Sequence, residues 1–81
     1  MKCHVLLFAK LRDAVGCDRL MIELFDGAKV SDALDALVER HPQIAALRGS
    51  LAVAVDEQYR PMSDPLRDGC TIALIPPVSG G

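Results

Sequence analysis

The chain has 81 residues, 51% of them apolar, with one Tyr, two Phe, no Trp and a formal net charge of −2. That length makes one domain near the lower limit for a self-supporting core, which must be aliphatic. The acidic balance, with no Lys/Arg cluster, argues against nucleic acid as a partner. No apolar run exceeds that of Val5 to Ala9, far too short to cross a bilayer.

Lys2 to Ala9 reads as a strand, with Cys3, Val5 and Leu7 on one face and His4, Leu6 and Phe8 on the other. Both faces carry apolar groups, which suits a central strand or one that covers a partner-binding surface. Lys10 to Val15 fits one helical turn ended by Gly16. Arg19 to Leu24 is a second strand, Leu20, Ile22 and Leu24 alternating against Met21 and Glu23, and Asp26-Gly27 breaks it.

The clearest element is a helix over 30–40. Val30, Ala33, Leu34, Leu37 and Val38 recur at i, i+3, i+4, i+7 and i+8, one apolar stripe of 3.6 period. Asp32, Asp35, Glu39 and Arg40 take the wet side, with acids towards the start, where the helix dipole favours them. Pro42 ends it. Lys29 is a weak residue for its N-cap. Ile44 to Leu47 suggests a further helical turn closed by Gly49.

Leu51 to Val55 is an apolar strand, Asp56-Glu57-Gln58 a turn, and Tyr59 to Met62 a short edge piece stopped by Pro61. A polar loop from Ser63 to Gly69 leads to the last strand, Thr71 to Ile75, with Ile72 and Leu74 on one side and Ala73 and Ile75 on the other. Pro76 has no amide hydrogen, so pairing stops there. The expected division is a domain over 1–75 and an extended tail over 76–81. One amphipathic helix on one face of a mixed sheet satisfies this order, an α+β architecture of two layers. If the first and last strands run parallel, the helix supplies their crossover. The opposite sheet face would then stay uncovered, with Leu6, Phe8 and Ile75 forming an apolar docking patch.

Cys3, Cys17 and Cys70 are odd in number and lack C-x-x-C spacing, and neither His4 nor His41 has a ligand partner at metal spacing. No metal site is expected, and the cysteines read as small buried residues in a reducing compartment. No nucleophile–base arrangement can be argued, so the chain is not expected to be an enzyme on its own. With no cleavable leader and no spanning segment, the expected location is the cytoplasm.

The tail, Pro76-Pro77-Val78-Ser79-Gly80-Gly81, carries the chemistry. Two prolines hold it extended, and two glycines without Cβ let its end pass a slot that excludes larger residues. Such a terminus suits delivery into another protein's active site.

The order of elements resembles the β-grasp, or ubiquitin-like, fold. Leu7-Phe8-Ala9 with Leu11-Arg12, Pro65-Leu66-Arg67-Asp68-Gly69, and Ile75 through Gly81 resemble the small, sulfur-carrying subunits of molybdopterin synthases over the full chain. Cys70 departs from that family, which usually has an acidic residue after Asp-Gly. The resemblance implies that Gly81 is joined to AMP by an ubiquitin-activating-type adenylyltransferase using ATP. A sulfurtransferase then supplies the sulfur that makes a thiocarboxylate (1-thioglycine) at Gly81. It further implies insertion of the tail, Pro76, Pro77, Val78, Ser79 and Gly80 included, into the large synthase subunit, where sulfur passes to cyclic pyranopterin monophosphate. Two small and two large subunits would form a heterotetramer, with no cofactor permanently bound to the carrier. Phe8, Arg12 and Ile75 are the expected partner contacts. A carrier for thiamine, cysteine or tRNA thiolation, or a ubiquitin-like protein modifier, would share the fold and the diglycine.

Overall fold

The computed structural model describes residues 1–76. The strands are β1 (Lys2–Leu7), β2 (Arg19–Glu23), β3 (Ala52–Val55), β4 (Gln58–Tyr59) and β5 (Thr71–Ile75). The helices are α1 (Ala9–Val15) and α2 (Val30–Arg40), and two 3-10 turns, Pro42–Ala46 and Arg48–Ser50, return the chain from α2 to the sheet. The strand order is β2-β1-β5-β3-β4. β1 and β5 run parallel side by side, and the other three pairings are antiparallel. The conditional expectation of a parallel central pair with a helical crossover is met.

One sheet face is dry. Cys3, Val5, Leu7, Ile22, Val53, Ile72 and Leu74 point inward and meet Val30, Ala33, Leu34 and Leu37 of α2, with Leu11 of α1 and Ile44 of the first 3-10 turn closing the sides. The stripe read from the sequence is the buried face of α2, except that Val38 at its margin is only half-buried.

Several boundaries move, each for a local reason. β1 stops at Leu7 because Phe8 becomes the extended N-cap of α1 (φ −122°, ψ 153°) and Ala9 turns at φ 49°. α1 is therefore seven residues rather than a single turn, and Gly16 at φ 90° ends it by donating its N–H to the Arg12 carbonyl. β4 is only Gln58–Tyr59.

The start of α2 is capped from outside its own sequence. Lys29 makes no side-chain cap, but the Asp32 carboxylate accepts the Lys29 N–H at 2.8 Å. The next two N–H groups, of Val30 and Ser31, donate at 3.0 Å to the carbonyls of Asp64 and Met62. The loop after β4 thus satisfies donors that every helix start leaves open, and Leu66 N–H donates to the Ala28 carbonyl to pin that loop down.

The β3–β4 turn is two residues, Asp56 at φ 49° and Glu57 at φ 71°, the left-handed pattern of a type I′ hairpin. Asp56 tolerates it and is held, its carboxylate accepting the Thr71 N–H at 3.0 Å and its own N–H donating to the Thr71 carbonyl at 2.9 Å. Glu57 has no such compensation in the described hydrogen bonds. Glu57→Gly is expected to raise stability by about 0.5–1 kcal/mol by removing left-handed strain, read as a higher urea midpoint with unchanged slope.

Candidate functional site: the bare sheet face at the root of the tail

The side chains that alternate away from the core form the opposite face of the sheet, and neither helix covers it. Strand register sets its members side by side. Leu6 of β1 is opposite Ala73 of β5, Ala73 opposite Ala54 of β3, and Ala54 opposite Tyr59 of β4. Two alanines in the middle leave a trough between bulky margins. Phe8, 45% exposed, and Ile75 stand at one end, and Tyr59, 72% exposed, flanks the other strand edge. The groove they line with Leu6, Thr71, Asp56 and Glu57 is about 540 Å³. By size it would suit a small molecule, but ligand pockets enclose most of the ligand. A trough floored by a flat sheet is the shape of a docking surface, and so much exposed aromatic surface is the usual mark of one.

Phe8 and Ile75, two of the expected contacts, line this groove. Arg12 does not. It lines an adjoining depression that shares Leu6 and Phe8 and adds Leu7, Asp18 and Arg19. The apolar trough therefore has basic residues, Arg12 and Arg19, beyond its Phe8 end, and the acidic Asp56 and Glu57 along its β3–β4 margin. Ala54, Tyr59, Thr71 and Ala73 are groove residues that reading the sequence did not single out. Alternation within the last strand placed Ala73 beside Ile75, but only strand order brings Ala54 and Tyr59 to them.

Pro76 follows directly on Ile75, half-buried, and is the last described residue. Pro77, Val78, Ser79, Gly80 and Gly81 lie outside the described residues. The tail thus departs from the residue that forms the end of the groove. Among the described residues no group of three or more His, Cys, Asp or Glu could hold a metal ion, and no helix is long and apolar enough to cross a membrane. Cys70 is buried immediately before β5, and Cys3 is buried beside it. The arrangement presents a face and the root of a tail; the chemistry they can serve is docking and delivery.

A five-stranded mixed sheet of this order, with one main helix on one face, defines a ubiquitin-like β-grasp protein. Residues 5–81 match the ThiS family. The molybdopterin synthase sulfur carrier subunit of Chlamydomonas reinhardtii is 37% identical over 83 residues, covering all of both chains. Among solved structures, SAMP1 from Haloferax volcanii is similar with a TM-score of 0.90 and 30% identity over the whole of both chains. A putative molybdopterin converting factor subunit 1 from Pyrococcus furiosus has a TM-score of 0.88 and 29% identity, covering 96% of this chain and 99% of that one. The chain belongs to the ThiS family.

Proposed function

We propose that this chain is a sulfur carrier for molybdenum cofactor biosynthesis, the small subunit of a molybdopterin synthase, and that Gly81 bears the sulfur. The observation that carries the reading is the continuity of the bare apolar face with the root of the tail at Ile75 and Pro76. A partner seated on that face receives the tail without searching for it. The name shared by full-length relatives supports the same assignment.

The chemistry explains why docking and a slender tail belong together. A carboxylate with a pKa of about 3.5 is ionised near neutral pH and resists nucleophiles. Joining it to AMP, with ATP as the donor on an ubiquitin-activating-type enzyme, gives the Gly81 carbonyl a good leaving group. A persulfide from a sulfurtransferase displaces AMP, and a second thiol then attacks the outer sulfur of the resulting acyl disulfide, leaving a thiocarboxylate at Gly81 and a disulfide between the two thiols. That sulfur is then a nucleophile towards cyclic pyranopterin monophosphate in the large subunit. One end must enter at least two active sites, so glycines at 80 and 81 give clearance, and prolines at 76 and 77 reduce the ordering cost of each insertion. Phe8, Ile75 and the neighbouring Arg12 are the contacts we assign to the partner.

The intact mass of the chain isolated from its own cells tests this. One species heavier by the difference between sulfur and oxygen, located to the peptide that ends in Gly81, is expected. The likeness to a small archaeal modifier protein favours a second reading, conjugation to lysines. That reading predicts a series of adducts through Gly81 and no thiocarboxylate.

A further inference from the structure

Cys3 and Cys70 are 67 positions apart in sequence, yet their sulfurs stand 3.3 Å apart in the core. Parallel pairing of β1 with β5 is the cause. His4 is opposite Thr71, so the residues one step earlier, Cys3 and Cys70, face one another. Two backbone hydrogen bonds bracket them, Gly69 N–H to the Lys2 carbonyl at 2.7 Å and His4 N–H to the Cys70 carbonyl at 2.9 Å. Neighbouring strands lie about 4.8 Å apart, inside the Cα separations of about 4.4–6.8 Å that disulfides span. Bringing the sulfurs to bonding distance is therefore a matter of side-chain rotation, with the strands left in place.

We propose that Cys3 and Cys70 form a disulfide on oxidation by a peroxide, a covalent staple between the two central strands. One thiolate attacks the peroxide, breaking its O–O bond to give a sulfenic acid and one water. The second sulfur then attacks the sulfenic sulfur and expels a second water. Both S–H bonds are lost, one S–S bond forms, and the two electrons removed from the thiols reduce the peroxide. The staple closes a loop of nearly the whole domain, where the entropy removed from the unfolded chain is large. Both sulfurs lie on the core side of the sheet, so the bare face and the root of the tail are untouched.

The site is guarded. Burial first, then the hydrogen bond and charge of Cys70, push the Cys3 thiol up to about 12, so the attacking thiolate is scarce while the core is closed. The way in is the segment before β5, where Arg67, Asp68 and Gly69 are exposed and the Arg67 carbonyl is 3.7 Å from the Cys3 sulfur. Oxidation therefore waits on local opening there, and Cys17, half-buried between α1 and β2, would react first. Cys17→Ser removes that competitor.

The experiment treats the full-length Cys17→Ser chain with hydrogen peroxide, then takes intact mass and a non-reducing tryptic map. The expected product is lighter by two hydrogens, with peptides 3–10 and 68–81 joined. Its melting midpoint should rise by on the order of 10 °C and fall back with a dithiol reductant. Cys3→Ala in the same background should give neither change, and the mapping of the Cys17→Ser chain stands even where the alanine variant folds poorly. Recovery of the two peptides unlinked, with sulfinic or sulfonic acid on either cysteine, would overturn the proposal. So would a linked chain that melts no higher than the reduced one.

Discussion

Deleting Gly81 should abolish sulfur transfer and leave the melting of the domain unchanged. Among the described residues the buried side chains all belong to residues 3–74, and a terminal glycine has no side chain to add to that core. Function is another matter, because the carbonyl proposed to carry sulfur must be delivered into a partner's active site by a tail of set length. Removing one extended residue withdraws it by about 3.3–3.6 Å, and a misplacement of about 1 Å can already cost 10²-fold. A loss of at least about 10³-fold in product formation is expected with the large synthase subunit and an activating system. Gly81→Ala, which keeps the length and adds only a Cβ, should fall between the two and report on clearance alone. A truncated chain that still sustains full product formation would end the assignment of Gly81.

The second large effect is expected from Ala73→Arg. Ala73 lies at the middle of the bare face, opposite Leu6 on one side and Ala54 on the other. Its small side chain keeps the floor of the trough low. An arginine there can lay its stem along the apolar strip and keep its head in water, so folding stability should change by no more than about 0.5 kcal/mol. A docked partner, however, would meet a bulky charge at the centre of the contact, where truncations of key residues already cost about 2 kcal/mol or more. Calorimetric titration with the large subunit should show binding weakened by about 100-fold or more. Glu39→Arg, a charge reversal on the exposed side of α2 in the other layer, should leave affinity as it was. Equal losses from both variants would mean that the partner does not use the sheet face.

Much of this protein was legible residue by residue. The stripe from Val30 to Val38 names α2 and its buried face, because a helix repeats within the sequence itself every 3.6 residues. Period-two alternation in the first and last strands separated Val5, Leu7, Ile72 and Leu74 from Leu6, Ala73 and Ile75, and Pro76 marked where pairing ends. Those are local properties, carried by neighbours along the chain. Register is not. That Ala54 and Tyr59 complete the groove, that carbonyls of Met62 and Asp64 cap α2, and that Cys3 touches Cys70 all depend on strands and loops far apart in sequence. Phe8 shows the boundary between the two kinds of information. Alternation put it on the correct face, but its place as the cap of α1 comes from Ala9 turning left-handed behind it, which the apolar pattern does not encode. Local pattern along the chain is enough to name the main elements, their wet and dry sides, and the diglycine tail. Which exposed side chains stand together follows from the folded sheet alone, because pairing between distant strands is chosen by the packing of the whole core rather than by any one segment.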